Sequence, residues 1–199
     1  TVVLDAGSGM GGVFLPHLIK KLPCRVMLLN ADPVCDPRRN PLNPMREEDL
    51  AELKNAVLVH RADFGVAFDP DGDRSGFVTD DARLFRADYM GAFLARELLR
   101  THQGEAIVHD VRSSSIFRET VAAAGGIPIE SRVGHSFIKG AMRKANALFG
   151  AELSGHFYFR DFFFFYSDFL PFLFFLLFTS GSDRRAGEIL DEFMRYPSS

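Results

Sequence analysis

The stretch Phe64-Gly-Val-Ala-Phe-Asp-Pro-Asp-Gly-Asp-Arg-Ser-Gly-Phe-Val-Thr-Asp80 decides how this chain is read. FGVAF is a short apolar run, GFVTD is a second, and Asp69-Pro-Asp71-Gly-Asp73-Arg74 lies between them, so the pattern predicts two strands joined by an acidic loop. Asp69, Asp71 and Asp73 stand at alternate positions directly after the first strand, and three carboxylates in so small a volume are unfavourable unless a cation is present. Oxygen-only ligands suit a hard cation such as Mg²⁺, which keeps open positions for waters and a phosphate oxygen. A calcium-binding EF-hand does not fit, because its sixth position needs glycine where this loop has Arg74, and because strands rather than helices flank the loop. The bland alternative is a solvated acidic turn.

Outward from that loop, strands alternate with helices. Residues 1–6 (TVVLDA) read as a strand running into glycines, 13–22 as a helix and 24–30 (CRVMLLN) as a second strand. Prolines at 33, 37, 41 and 44 forbid regular structure between 32 and 45. Residues 46–60 predict an amphipathic helix whose acidic first turn (Glu47, Glu48, Asp49) suits the helix dipole. A second unit starts near Arg83, with helices at 87–101, 115–124, 136–145 and 183–195 and strands at 106–111, 127–133 and 147–152. The alternation implies an α/β fold of two consecutive domains, 1–83 and 84–195, each with a parallel or mixed sheet flanked by helices.

The second unit has its own polar motif, Gly150-Ala-Glu152-Leu-Ser154-Gly155-His156. An extended backbone would place Glu152, Ser154 and His156 on one face of an open strand end. A carboxylate, a hydroxyl and an imidazole together suit a polyol, which needs paired donors and acceptors; the alternative is a polar strand edge. Asp110-Val-Arg112 ends a strand, and Gly134-His135-Ser136-Phe-Ile-Lys139 opens a helix. There Ser136 is a candidate N-cap and His135 sits at the end that favours anions.

Taken in order, FDPDGDR, DVR, GHSFIK and GAELSGH resemble the active-site strings of the α-D-phosphohexomutases, with the phosphomannomutase/phosphoglucomutase branch closest. The resemblance covers essentially the whole chain and implies the second and third domains of a four-domain architecture. It implies that Asp69, Asp71 and Asp73 hold one Mg²⁺ in front of a phosphoserine, with Arg74 beside it to meet phosphate. It implies that Glu152 and Ser154 contact adjacent sugar hydroxyls and that Arg112 and His135 lie near the active site. His135 or His156 would move a proton, since histidine titrates near neutrality. The implied reaction interconverts the 1- and 6-phosphates of glucose or mannose through a bisphosphorylated sugar. Neither a T-x-S-H-N-P serine loop nor an S-G-T-E-P-type phosphate clamp occurs in the chain. The expectation is therefore that a serine-bearing domain precedes it, that 196–199 begins a link to a phosphate-binding domain, and that the chain alone is inactive.

Two other readings stay open. One is a noncatalytic module that binds sugar phosphate and metal. The other is an NAD-dependent oxidoreductase, because Gly7-Ser-Gly9-Met-Gly11-Gly12 satisfies G-x-G-x-x-G after a strand, with Asp32 following the next strand. With the later motifs present, those glycines read better as a tight strand-to-helix turn.

Composition narrows the classes. A net charge of −3 leaves no basic footprint for nucleic acid. Two cysteines, Cys24 and Cys35, make no secreted disulfide framework and predict a reduced, cytoplasmic setting. Eleven of the 22 residues at 157–178 are Phe, but Ser167, Asp168 and Pro171 interrupt the run, which predicts a strand or loop at 162–166 and then a deeply buried helix rather than a membrane span. Ser167 or Asp168 would be its N-cap, with Pro171 in the first turn.

Overall fold

The computed structural model describes residues 1–34 and 42–194, and they form two α/β units. Pro37, Pro41, Cys35 and the link at 195–199 lie outside the described residues. In the first unit, β1 (Val2–Asp5) is buried throughout because β2 (Val26–Leu29) and β3 (Phe64–Phe68) flank it in parallel. β4 (Ser75–Thr79) returns antiparallel to β3, and β5 (Leu84–Phe85) extends the edge to give the order β2-β1-β3-β4-β5. α1 (Gly11–Ile19) follows β1, and α2 (Ala51–His60) follows a 3₁₀ turn at Glu47–Leu50. That turn is where the 46–60 helix prediction was too long: the acidic turn is 3₁₀ rather than α.

The second unit repeats the plan. α3 (Ala87–Leu99), β6 (Ala106–Asp110), α4 (Ser115–Ala123), β7 (Ile127–Ser131), α5 (His135–Ala145) and β8 (Phe149–Ala151) are followed by β9 (Phe157–Phe159) and β10 (Phe165–Tyr166). β6 lies parallel to β7 and β8, β8 is antiparallel to β9, and β9 to β10. Read from β7, the order β7-β6-β8-β9-β10 matches the first sheet strand for strand. The β3–β4 hairpin, which carries the acidic loop, therefore corresponds to the β8–β9 hairpin, which carries the Glu152–His156 loop. Neither β5 nor β9 was expected from sequence. Each is three residues or fewer, too short to show a two-residue alternation.

Alternating side chains set the cores. Val3, Ala67 and Val78 meet Leu53, Ala56 and Val57 of α2 on one face of the first sheet. Leu4, Val66, Phe64 and Phe77 face the other way, into a core that runs on into the second unit. α6 (Phe169–Ser180) enters there: Phe175 packs edge-on against Phe64, Phe77 and Phe85 of the first unit and Phe93 of the second. The helix is buried along one face only, since Leu177 is 64% exposed, which corrects the expectation of deep burial. No helix among the described residues is long and apolar enough to cross a membrane. α7 (Ala186–Phe193) closes the chain, tied back to the first unit by Arg83–Asp191 at 2.6 Å and by the Gly187 N–H to Asp80 at 2.8 Å.

Candidate active site

The acidic loop is ordered from within. Asp69 is fully buried, and its Oδ1 accepts the backbone N–H groups of Asp73 (2.9 Å) and Arg74 (3.1 Å), while its Oδ2 accepts Arg74 Nε at 2.6 Å. A carboxylate has about four acceptor positions, so one remains for a further partner. Gly72 takes φ +74° to turn the loop and donates its N–H to the Asp69 carbonyl at 3.1 Å. Asp69, Asp71 and Asp73 each offer a carboxylate oxygen within 4.8 Å of the others, and Asp71 is exposed. This all-oxygen donor set fits a hard divalent cation.

The glycine string supports this loop from behind. The Met10 N–H donates to the Pro70 carbonyl at 2.8 Å, and a Cβ on Gly9 would stand 2.3 Å from Pro70 backbone atoms. A Cβ on Gly12 would lie 1.7 Å from the Ala31 carbonyl oxygen. The glycines are spent on close protein packing. Gly9→Ala is expected to cost about 3 kcal/mol, at the upper end for overpacking, because backbone rather than a flexible side chain must move. A urea midpoint equal to that of the unsubstituted protein would contradict this.

The 152–156 loop differs from its prediction. It is a tight turn, not an extended strand end: the Glu152 N–H donates to the His156 carbonyl and the Gly155 N–H to the Glu152 carbonyl, both at 3.0 Å. The turn still gathers the expected side chains, with Ser154 Oγ 2.9 Å and Glu152 Oε2 3.2 Å from His156 Nδ1. Glu152 is 2% exposed; its Oε1 accepts the Gly134 N–H at 2.9 Å and its Oε2 accepts the Tyr158 hydroxyl at 2.5 Å. Burial alone would raise its pKa, but the bonds from His156, Tyr158 and Gly134 outweigh burial and hold it down at about 2. The same burial and the Glu152 charge push the Tyr158 hydroxyl upward.

His156 joins the two units. Its Nε2 lies 3.3 Å from Asp73 Oδ2, and nearby the Ser75 N–H donates to the Gly155 carbonyl at 3.3 Å. Burial would lower the His156 pKa, yet the Glu152 and Asp73 carboxylates on either side raise it overall. Arg74 and Arg112 belong to opposite units, and each is held by a buried aspartate of its own unit. Asp110, fully buried, holds the Arg112 side chain at 2.7 Å and the Leu153 N–H at 3.1 Å, so one carboxylate positions both an arginine and the turn.

The GHS segment also needs correction. Gly134, at φ +119°, is the residue that precedes α5, so His135 begins the helix and Ser136 is not its N-cap. His135 is exposed, with its ring 6.4 Å from that of Tyr166, which lies 5.1 Å from His156. Sequence reading missed Tyr158 and Tyr166, and it quoted Asp110 in the DVR string without giving it a role. A polar residue at the end of a buried strand was a signal for Asp110; the tyrosines lay in an unexpected strand and a run of Phe. Asp168 is the residue before α6, as expected, and the Ser167 hydroxyl accepts the Leu170 N–H at 3.2 Å. Burial, with Asp69 and Asp73 nearby, pushes the Asp168 carboxyl up to about 8.

Two matched α/β units, whose equivalent hairpins bring an acidic loop against a polar turn, define a two-domain class of α/β protein with its candidate site at the seam. The chain belongs to the phosphoglucomutase/phosphomannomutase family: residues 1–82 match its alpha/beta/alpha domain II and residues 86–196 its alpha/beta/alpha domain III. It is 35% identical to a phosphomannomutase of Escherichia coli, over 100% of this chain and 45% of that protein. It is 34% identical to a phosphomannomutase/phosphoglucomutase of Pseudomonas aeruginosa, over 84% of this chain and 36% of that one. A crystal structure of a phosphoglucomutase/phosphomannomutase family protein from Burkholderia thailandensis superposes with a TM-score of 0.88 at 29% identity, covering 100% of this chain and 43% of that chain. The chain thus spans less than half the length of these relatives.

Proposed function

We propose that this chain forms the second and third domains, divided near Arg83, of a Mg²⁺-dependent phosphohexomutase acting on glucose or mannose phosphates in the cytoplasm. The observation that carries the reading is His156, which touches Asp73 of the acidic loop and Glu152 and Ser154 of the polar turn at once. Asp69, Asp71 and Asp73 would hold the cation, which when bound neutralises charge on the phosphoryl group in transit. Arg74 is fixed through Nε to Asp69, which leaves its terminal nitrogens to meet phosphate oxygens. Arg112, steadied by Asp110, supplies a second guanidinium from the other unit.

Ser154 and His156 present hydroxyl and imidazole groups to the sugar, and the buried Glu152 sets their geometry. With Nδ1 held by Glu152 and Ser154, His156 is oriented to give or take a proton through Nε2; His135 stands across Tyr166 as a second base. The serine that carries the phosphoryl group, and a clamp for the distal phosphate, would come from other domains of the same polypeptide. Phosphoryl transfer of this kind depends mainly on placement and charge neutralisation.

In the complete protein, His156→Gln is expected to lower kcat for mannose 1-phosphate or glucose 1-phosphate on the order of 10²-fold, as for loss of a general acid–base. The 199-residue chain alone is expected to show no turnover. Wild-type kcat in His156→Gln, or turnover by the isolated chain, would overturn the assignment.

A further inference from the structure

Asp168 is the one buried carboxylate at the acidic loop that the proposed reaction leaves without work. It is 2% exposed, and its Oδ2 has no hydrogen-bond partner among the described residues. That oxygen lies against the crest of the loop, 3.4 Å from where a Cβ on Gly72 would stand. Leaving a charged or polar atom buried without a partner is costly, and native structures seldom do so without a reason.

The backbone donors at the crest of the loop are already engaged. The N–H groups of Gly72, Asp73 and Arg74 are all taken by Asp69, through its carbonyl and Oδ1, and Arg74 Nε is taken by Asp69 Oδ2. Helix capping does not account for Asp168 either, because the side-chain bond to the first turn of α6 comes from Ser167. On the other side, Phe169 packs its ring 4.5 Å from Phe14 and 5.2 Å from Phe68, closing the flank with apolar surface that cannot donate. The direction left open is toward the cation loop.

We propose that Asp168 is a positioning residue for the cation: its Oδ2 accepts hydrogen bonds from the hydration shell of the divalent ion held by Asp69, Asp71 and Asp73. Mg²⁺ gives up water reluctantly and keeps several waters when only a few carboxylates hold it, so a fixed outer acceptor suits it. Outer-shell partners orient what the ion carries, and their removal typically weakens metal binding 10- to 100-fold. The inference rests on the cation reading above and adds a fourth carboxylate that does not touch the ion.

The test is Mg²⁺ titration calorimetry on the protein and on Asp168→Asn, with the far-UV circular dichroism of each compared first. Asp168→Asn is expected to raise the Mg²⁺ dissociation constant roughly 10- to 100-fold with its fold retained. Ser167→Ala, which removes the actual cap, should lower the melting temperature and leave that constant unchanged. An Asp168→Asn protein with the original Mg²⁺ affinity overturns the proposal. If Asp168→Asn does not fold, Asp168→Ser, which is as suited to a helix start, is read in the same way; failure of both to fold makes the carboxylate structural and also overturns it. If the unsubstituted protein binds no Mg²⁺, the cation reading itself falls and this assignment falls with it, whereas binding that Asp168→Asn leaves untouched removes only the assignment.

Discussion

Glu152→Ala is expected to destabilise the protein by about 3–5 kcal/mol, the range for removing one partner from a buried charged network. Read as an open strand end, the position would tolerate alanine and lose only ligand affinity; the buried carboxylate found there changes that expectation. Three elements converge on it: the Gly134 N–H before α5, the Tyr158 hydroxyl of β9, and His156 of its own turn. Alanine leaves the Gly134 amide and the Tyr158 hydroxyl without their acceptor and leaves His156 Nδ1 only Ser154 Oγ. For a chain of this size the melting temperature should fall by about 10 °C.

The same group carries a pH signature. Its folded pKa of about 2 lies below the ordinary value of 4.5, so its stabilisation is fully present above pH 4.5 and is lost as pH falls toward 2. The depression corresponds to an amount on the order of 3 kcal/mol, in line with the substitution. Glu152→Gln keeps the volume and should flatten that part of the acid limb in urea titrations at pH 7, 4 and 3. An alanine variant as stable as the original, with a defect only in sugar-phosphate binding, would return Glu152 to the role of a simple ligand contact.

The difference at Glu152 marks where the sequence stops being legible. The acidic loop could be read because its chemistry is local: three aspartates at alternate positions crowd together whatever surrounds them. The helices were legible for a similar reason, since their apolar faces recur within a single element, as Leu53, Ala56 and Val57 do on α2. Burial of Glu152 is set by Gly134 and Tyr158, which come from different elements, and no pattern along the strand encodes it. The run of Phe at 157–178 was opaque for the same reason. Its meaning appears once Phe175 is seen among Phe64, Phe77, Phe85 and Phe93, where one helix fills the seam between two units. Phe165 is exposed but lies 4.7 Å beneath the Lys139 ammonium, whereas Phe162 and Phe163 are exposed and nothing in the structure explains them. The equivalence of the β3–β4 and β8–β9 hairpins was also hidden, because it lies in strand order and not in similar residues.

Mg²⁺ should raise the melting temperature of the protein, and Asp71→Asn should remove most of that rise. Among the three aspartates, Asp71 is the cleanest to substitute. Asp69 is bound to two backbone amides and to Arg74, and Asp73 meets His156 and Arg74, so changing either alters the loop as well as the ion. Asp71 is exposed and makes no hydrogen bond or ion pair among the described residues, so asparagine there should leave the metal-free protein as stable as before, or slightly more so for relief of like charge. An ion that binds the folded loop and not the unfolded chain stabilises by mass action, about 2.7 kcal/mol when its free concentration is 100 times the dissociation constant. That is a rise of roughly 5–10 °C for a chain of this size. Screening of the acidic loop by any salt would also raise stability, so the comparison needs matched ionic strength, with Na⁺ in place of Mg²⁺ in the control. The expected pattern is a rise that Mg²⁺ produces and Na⁺ does not, largely absent in Asp71→Asn at the same Mg²⁺ concentration. If both proteins respond alike to the two cations up to millimolar Mg²⁺, the three carboxylates form a solvated acidic turn and hold no ion.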